Sequence, residues 1–430
     1  AFSAVLGGMF VGDPSVPSAY VLTLVAALIL GVLLYRTKIP FGVSTVIGVI
    51  MLAAATWGGT VLPMTLSREA WFLIMFFYII IAAAIPVNVL LQPRDYLNSF
   101  LLYAGLLIGA LAAVSSFASF TAPAFTSFSP IVSGGKPSPF WPVIPLIIAC
   151  GSLSGFHALV GSGTTSKQLA TEKAGLTIGY GGMLFEGFLS TVVVISVGAF
   201  GMGVLQGAGV EISAQTWGNG YNPGLAQAGI SAAGMFTNSY AAMVDQTWLN
   251  FIPTNIVRVI AGMWVAAFAM TTLDTTNRLA RYTLAEIFLP LQSKSAGAYK
   301  FLTNRWIASL IPAAIGIWLG YSGRFTLLWP SFGSANQLIA AIALLTGTAW
   351  VTKRLKSKAT IALIPAYALW VTVTAAIIWF SVVVLPGTIA ANPATGITVL
   401  VIEIIMLIMN FVFIIDFIRT RNDPAPAEYA

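Results

Sequence analysis

Long apolar runs recur along this chain and constrain its fold more than any other feature of the sequence. A helix needs ~20 residues to cross the ~30 Å hydrocarbon layer of a bilayer. Hydrophobic residues make up 58% of the 430 residues and charged residues 8%, whereas soluble domains carry about 25% charge. The sequence therefore predicts an all-α polytopic membrane protein with about 11 transmembrane helices. The predicted spans are 18–35, 41–62, 71–91, 100–117, 141–160, 179–202, 252–272, 302–319, 327–350, 361–385 and 396–417.

Basic residues gather in alternate loops between these spans. If the turn with Arg36 and Lys38 is cytoplasmic, sixteen of the 20 lysines and arginines face the cytoplasm, as the positive-inside rule requires. The N-terminus of the chain is then outside and its C-terminus is cytoplasmic. Residues 1–418 form the transmembrane domain, 419–430 form a cytoplasmic tail, and 203–251 form an external loop. The net charge of +7 thus reflects membrane topology, and no nucleic-acid partner is predicted.

A polar, glycine-rich segment interrupts the span at 141–160. It contains Gly151, Gly155, Gly161 and Gly163, and also His157, the one histidine of the chain. Backbone at bilayer depth must keep its hydrogen bonds internal unless it is buried in protein or lines a cavity. Broken helices of this kind hold the binding sites of many transporters. We therefore predict a substrate site over residues 141–167.

Two residue types in this segment suit a transported carboxylate. Gly151, Ser154 and Gly155 are small enough to let a substrate approach the backbone, and a half-helix N-terminus attracts an anion. Histidine has an unperturbed pKa near neutrality, so His157 is the first candidate for proton coupling or carboxylate recognition. The alternative is a hydrogen-bonded structural histidine.

Four carboxylates lie in or beside the spans, where charged groups are costly and usually face a bundle interior. They are Glu186, Asp274, Glu403 and, at the cytoplasmic end of the last span, Asp416. Glu186 and Asp274 are the next candidates for proton coupling. Asp274 also has a structural alternative, because Arg278 lies four residues later, at the spacing of a helical ion pair. Glu403 lies in an aliphatic helix, and we expect it to satisfy a neighbouring helix or a partner.

Hydroxyl groups and amides complete the set of candidate residues. Ser162, Thr164 and Thr165 follow the helix break. A possible sodium site uses either Thr164 with Thr165 or Thr271 with Thr272, because hydroxyl and carbonyl oxygens suit small hard cations. The alternative is that each hydroxyl bonds back to its own helix. Buried amides must find partners. We therefore expect a packing or gating role for two amides inside the span at 327–350, those of Asn336 and Gln337.

Enzyme motifs fail on inspection. A single histidine excludes an HExxH zinc site, and a single cysteine, Cys150, excludes an internal disulfide and a multi-cysteine metal site. A phosphate-binding loop needs glycine directly before its lysine, but Ser166 precedes Lys167. We predict no enzyme and no cofactor, with H+ or Na+ as the coupling ion.

Several separated motifs together resemble the carbon starvation protein A family, in the right order and over roughly residues 20–350. The motifs are Pro93-Arg-Asp-Tyr-Leu97, Cys150-Gly-x-x-Ser-Gly-Phe-His157, Ser162-Gly-Thr-Thr-x-Lys167, Ile178-Gly-Tyr-Gly-Gly-Met183, Leu273-Asp-Thr-x-x-Arg278 and Trp329-Pro-x-Phe-Gly-x-Ala-Asn-Gln337. The resemblance implies a bacterial inner-membrane transporter of the amino acid–polyamine–organocation superfamily, with a LeuT-like inverted-repeat bundle and broken helices.

This resemblance also implies a function and a possible partner. It implies a proton-coupled pyruvate (monocarboxylate) symporter or, alternatively, a peptide transporter coupled to protons or sodium. Relatives in the family usually carry an additional N-terminal helical segment that this sequence does not contain. Two alternatives stay open: another chain supplies these helices, or they are missing from the numbered sequence. From another functional class, a non-transporting membrane subunit or a membrane sensor stays open. The partners predicted are a small-molecule substrate and the lipid bilayer.

Overall fold

A computed structural model shows a largely helical protein, as the apolar runs predict. It describes residues 2–133, 136–321, 325–354 and 359–420. Two short strands, β1 (Ile131–Ser133) and β2 (Lys136–Pro137), pair antiparallel. The helices in chain order are α1 (Phe2–Gly12), α2 (Ser15–Arg36), α3 (Phe41–Val61), α4 (Arg68–Ala84), α5 (Leu91–Ser115), α6 (Phe140–Ser152), α7 (Gly155–Val160), α8 (Glu172–Gly175), α9 (Gly181–Gly207), α10 (Trp217–Ala228), α11 (Ala232–Asp245), α12 (Thr254–Ile287), α13 (Leu291–Lys294), α14 (Ala296–Leu302), α15 (Arg305–Tyr321), α16 (Phe325–Arg354), α17 (Leu363–Trp379), α18 (Leu385–Ala391) and α19 (Pro393–Thr420).

Single helical turns of other geometry extend these helices. π-Helical turns span Gly161–Thr165, Leu176–Tyr180 and Phe380–Val384, and 3-10 turns span Ser166–Gln168, Trp248–Phe251 and Ala359–Ala362. Single π-helical turns are rare and are frequently found at functional sites, whereas 3-10 turns are common at helix ends. The turns at 161–165 and 166–168 continue α7 directly through the hydroxyl-rich segment of the sequence.

Among the described residues, 8 helical segments are long and apolar enough to cross a membrane. Three predicted spans fall on shorter helices: α4 and α15 have 17 residues each, and the span at 141–160 is divided between α6 and α7. The membrane-spanning class is therefore confirmed, while the count of about 11 stays a prediction. The segments are Ser15–Arg36, Phe41–Val61, Leu91–Ser115, Glu172–Gly207, Thr254–Ile287, Ser331–Lys353, Leu363–Ala391 and Pro393–Thr420.

The described helices form two compact units. The first unit comprises Phe2–Thr126 and Leu184–Gly323, and the second comprises Ser127–Met183 and Arg324–Ala430. Residues 421–430, most of the predicted cytoplasmic tail, lie outside the described part of the chain. Each unit has its own apolar core.

Aromatic side chains from α11 and α12 fill the core of the first unit. Tyr240 is fully buried and Trp264 is 2% exposed, and their ring centroids lie 6.2 Å apart. Both rings meet α5 at Gly105, whose carbonyl accepts a hydrogen bond of 2.6 Å from the Tyr240 hydroxyl. A Cβ at Gly105 would lie 2.9 Å from the Trp264 ring, so glycine permits this close packing.

The segment 203–251 is largely helical, so the prediction of an external loop there was wrong about its conformation. It contains the end of α9, the whole of α10 and α11, and a 3-10 turn. With 12 and 14 residues, α10 and α11 are too short to cross the hydrocarbon layer of a membrane. However, α11 buries one face in the core of the first unit.

The core of the second unit lies between α6, α16 and α17. Leu146, Leu338, Val373 and Ile377 belong to one buried cluster there. At the α17–α19 contact, fully buried Asn410 donates to Thr374 Oγ1 at 2.9 Å and accepts from the Trp370 indole. These bonds satisfy the polar atoms inside an apolar helix pair, as burial requires.

Candidate transport and coupling sites

The predicted break interrupts the helix between α6 and α7. Leu153 has φ −139° and ψ 61°, and Ser154 has φ −77° and ψ 123°, so two residues leave the helical conformation. The first helix ends with the Leu153 amide bonded to the Ala149 carbonyl at 2.7 Å. The second begins at Gly155. A glycine- and serine-containing break inside an apolar run thus exists where the sequence predicts it.

A single side chain from α16 caps the start of the second half-helix. Asn336 Oδ1 accepts hydrogen bonds from the Phe156 backbone N–H at 2.7 Å and from the Ser154 hydroxyl at 3.2 Å. The next residue, Gln337, is fully buried and donates to the Leu146 carbonyl of α6 at 3.4 Å. These two amides therefore connect α16 to the helices on both sides of the break. This is a packing role of the kind expected for them.

Gly155 is where the backbone of α7 meets the backbone of α16. A Cβ at this position would lie 2.6 Å from the Ala340 nitrogen and 2.7 Å from the Ile339 Cβ, and it would also collide with the Asn336 carbonyl oxygen. Glycine is thus required for this approach. By contrast, a Cβ at Gly151 would meet nothing within 4 Å, so the glycines of this segment have different roles.

The remaining candidate residues of this segment lie along α7 and its π-helical extension. His157 is exposed, and Thr165 is half-buried. The hydroxyls of Ser162 and Thr164 each donate at 2.9 Å to the carbonyl four residues earlier. This is the back-bonded alternative named above for these two hydroxyls.

The first unit contains a buried ion pair between α5 and α12. Arg94 Nη1 contacts Asp274 Oδ2, and both side chains are 0% exposed. Tyr78 of α4 joins the pair: its hydroxyl donates to Asp274 Oδ2 at 3.2 Å and accepts from Arg94 Nη1 at 2.6 Å. Groups from three helices, α4, α5 and α12, thus meet at this ion pair.

A second carboxylate, Asp95, occupies the other edge of that guanidinium. Its Oδ1 lies 2.8 Å from Arg94 Nη2, and its side chain is 44% exposed, so the cluster extends from full burial to the surface. Thr271 Oγ1 accepts from Arg94 Nη2 at 3.0 Å and donates to Asp95 at 3.2 Å. Thr272 instead bonds back to the Phe268 carbonyl at 2.9 Å. The described residues contain no group of three or more His, Cys, Asp or Glu side chains that could hold a metal ion.

The helical ion pair proposed as the alternative for Asp274 does not form. Arg278 donates to the carbonyls of Ala82 at 2.6 Å and Ile85 at 3.1 Å, which lie at the end of α4. A basic side chain commonly satisfies the unpaired carbonyls of a helix C-terminus. Arg278 bonds to carbonyls of α4 and Asp274 pairs with Arg94 of α5, and all of these groups are far from α12 in the sequence. The spacing of residues along α12 therefore could not predict either contact.

The two other intramembrane carboxylates have opposite environments. Glu186 is exposed on α9, beside the exposed apolar side chains of Phe185 and Phe188. Glu403 on α19 is 1% exposed and its carboxyl contacts the Ser331 hydroxyl of α16. The expectation that Glu403 bonds to a polar group of a neighbouring helix is confirmed. The sequence alone did not predict that Arg94 is buried or that it bonds to Tyr78.

A family model described as carbon starvation protein CstA matches residues 1–377. The chain belongs to this family. The family implied by the motifs at 93–97, 150–157 and 329–337 is thereby confirmed. No solved structure is significantly similar to the chain, so the LeuT-like, inverted-repeat arrangement stays a prediction.

Similar curated proteins are named as transporters, not as enzymes. Peptide transporter CstA of Bacillus subtilis (strain 168) is 30% identical over 389 residues, which cover 83% of this chain and 61% of that protein. Peptide transporter CstA of Escherichia coli (strain K12) is 32% identical, covering 69% of this chain and 48% of that protein. Pyruvate/proton symporter BtsT of the same strain is 27% identical, covering 78% and 54%. The chain spans about half to three-fifths of the length of these relatives.

Proposed function

We propose that the chain is the transmembrane part of a secondary active transporter for a small organic nutrient in the bacterial inner membrane, with its C-terminus in the cytoplasm. The observation that carries the proposal is the helix break at Leu153–Ser154, capped by Asn336. Transporters place substrate at breaks of this kind, because freed backbone groups and small residues can contact it there. The names of the relatives support the same class of function.

Pyruvate, taken up together with a proton, is the substrate we favour. One relative is named as a pyruvate/proton symporter, and the break offers groups of a size that suits a three-carbon carboxylate. Ser154 supplies a hydroxyl, and Gly155 brings the backbone close. His157, exposed on the adjoining half-helix, would recognise the carboxylate or carry the proton.

Peptide uptake, coupled to protons or sodium, is the second candidate. The two relatives quoted with 30% and 32% identity are both named as peptide transporters. A peptide also carries a carboxylate, and its amide groups would need further hydrogen-bond partners such as the Gln337 side chain, whose Oε1 is buried without a partner among the described residues.

Coupling is assigned to groups that can gain or release an ion inside the membrane. The candidates for proton binding are His157, Glu186 and Asp274. Substrate or coupling contacts are expected from Ser162, Thr164 and Thr165. The candidate site for sodium is formed by Thr271 and Thr272. A guanidinium group 3.0 Å from Thr271 Oγ1 opposes a cation there, so we favour protons. A non-transporting membrane subunit or sensor would tolerate neutral substitutions at His157 and Glu186.

Reconstitution of the protein made from its complete gene tests this proposal. Proteoliposomes are loaded at neutral pH and diluted into acidic buffer that contains labelled pyruvate or a labelled dipeptide. Accumulation of pyruvate that a protonophore abolishes supports the symporter, and accumulation of the dipeptide alone favours the second candidate. If neither substrate accumulates under proton or sodium gradients, the transport proposal for these substrates is wrong.

A further inference from the structure

Glu403 is a carboxyl group placed inside the most apolar membrane segment of the second unit. Its segment, Pro393–Thr420, has the highest mean hydropathy of the 8 candidate spans, 2.7. Eleven positions into a helix of 28 residues, Glu403 lies ~15 Å from the helix start at 1.5 Å per residue. Side chains of this type are rare in spans, and they mark proton relays and ion pathways.

The contacts of Glu403 leave half of its carboxyl group unsatisfied. Oε1 accepts from the Ser331 hydroxyl of α16, whereas Oε2 is buried with no hydrogen-bond partner in the described part of the chain. Buried polar atoms nearly always have partners, and each exception needs an explanation. A proton on this oxygen would remove the negative charge, whose burial without a partner costs far more than that of a neutral carboxyl group.

The described charged groups on the neighbouring helices lie far along those helices from the level of Glu403. The helices packed against α19 are α16, α17 and α18. Lys353 is 22 residues beyond Ser331 on α16, beside Arg354, and it donates to the Thr420 carbonyl at 2.9 Å.

On α19 itself, Asp416 and Arg419 are at least ~20 Å further along the helix, at 1.5 Å per residue. The titratable side chain of α17 is Tyr367, and α18 contains none. Among the described residues, no salt bridge joins a cation to Glu403, and an ionised carboxylate without one would be strongly disfavoured at this depth.

We propose that Glu403 is a proton-binding site of the membrane domain, in which Oε2 holds the proton and Oε1 accepts from Ser331. A bound metal cation would gather several oxygen ligands, but the described contacts of this carboxyl group are limited to one hydroxyl. The ligand is therefore a proton. Glu403 also lies beyond residues 1–377 that the family model matches.

One helix connects this site to the helix break. Ser331 and Asn336 are five residues apart on α16, ~7.5 Å along its axis, and Asn336 caps α7 through Phe156. When Glu403 releases its proton, the new carboxylate attracts the Ser331 hydroxyl and any water that enters, so α16 shifts together with Asn336. This coupling role rests on the proposed transport function.

Infrared difference spectroscopy on the purified protein tests the proton site without any transport. Titration from neutral to alkaline pH should remove the carbonyl stretching band of one buried carboxylic acid. Glu403→Gln should lack this band, and Ser331→Ala should shift its frequency, because the hydrogen bond to Oε1 is lost. Glu286→Gln, which changes an exposed glutamate on α12, should keep the band unchanged. A Glu403→Gln spectrum with the same band would overturn the proposal.

Transport then tests the coupling role separately. Glutamine mimics the protonated acid, so Glu403→Gln should still exchange internal for external substrate, while its accumulation under a proton gradient falls by roughly tenfold or more, a typical coupling magnitude. Gradient-driven accumulation equal to that of the parent would overturn the coupling role. If the parent itself transports nothing, the proposed function fails, but the infrared result still decides whether Glu403 holds a proton.

Discussion

Arg94 and Asp274 are 180 positions apart in the chain, yet they form an ion pair in which neither side chain is exposed. Taking two charges out of water is expensive, and the attraction between them offsets that cost only with good geometry and further hydrogen bonds. Tyr78, Thr271 and Asp95 supply those bonds. The pair therefore fixes α5 against α12 and α4 in one register.

Removing one member of this pair should destabilise the protein strongly. Asp274→Asn leaves Arg94 charged and buried with only Asp95 as a counterion, which costs about 3–5 kcal/mol when no other group compensates. Asp95→Asn removes a carboxylate that is 44% exposed, where an ion pair contributes only about 0–1 kcal/mol. Thermal unfolding in detergent should show a large drop in Tm for the first variant and a small drop for the second. Equal drops would contradict the structural role assigned to the buried pair.

A methyl group at Gly155 should disrupt the break. Gly155→Ala forces a Cβ into the backbone of Ala340 and Asn336, and overpacking of this kind costs about 1–3 kcal/mol. Gly151→Ala, four residues earlier, places its Cβ in open space and is the matched control. Tm should fall in the first variant and stay near the parental value in the second, and substrate uptake should fall in the first. If the two variants behave alike, the close approach of α7 to α16 is not required.

The Asn336 cap should depend on an oxygen acceptor at that position. Asn336→Ala leaves the Phe156 N–H without its partner, and an unsatisfied buried donor costs about 1–3 kcal/mol. Asn336→Asp keeps an oxygen acceptor and should recover part of that loss. Hydrogen exchange of the α7 amides measures the effect, with faster exchange expected in the alanine variant than in the aspartate variant. Identical exchange in parent and alanine variant would show that Asn336 does not hold the break.

The effect of His157→Ala on uptake should show whether His157 binds the substrate or carries the proton. If His157 recognises the substrate carboxylate, His157→Ala raises KM for pyruvate while accumulation still requires a proton gradient. Measurements of initial rate at several substrate concentrations, with and without the gradient, separate the two effects. Loss of gradient dependence with an unchanged KM would instead make His157 the proton carrier.

Hydropathy was sufficient to locate most of the helices, because a membrane span must be apolar over its whole length. The predicted spans at 18–35 and 41–62 correspond closely to α2 and α3. The break at 153–154 was also predictable, since glycine and polar residues inside such a run weaken the helix. Short buried helices were missed, and α11 is the clearest case: its apolar face packs on protein, which leaves no span-length signal in the sequence.

Long-range side-chain contacts were beyond the reach of the sequence. The spacing between Asp274 and Arg278 suggests an ion pair, but the fold brings Arg94 closer. Likewise, nothing near position 403 indicates that Ser331 lies opposite. Because buried amides must find partners, the sequence did predict a packing role for Asn336. It did not identify the Phe156 N–H as the partner.

Gradient-driven uptake of labelled pyruvate into proteoliposomes tests the central claim most directly. The account predicts accumulation that requires an inward proton gradient, that collapses with a protonophore, and that is strongly reduced in folded Asn336→Ala. The Glu286→Gln variant, changed at an exposed position of α12, should accumulate pyruvate as the parent does. Uptake at the same rate with and without the gradient, or undiminished uptake by Asn336→Ala, would contradict a coupled transporter whose site lies at the helix break.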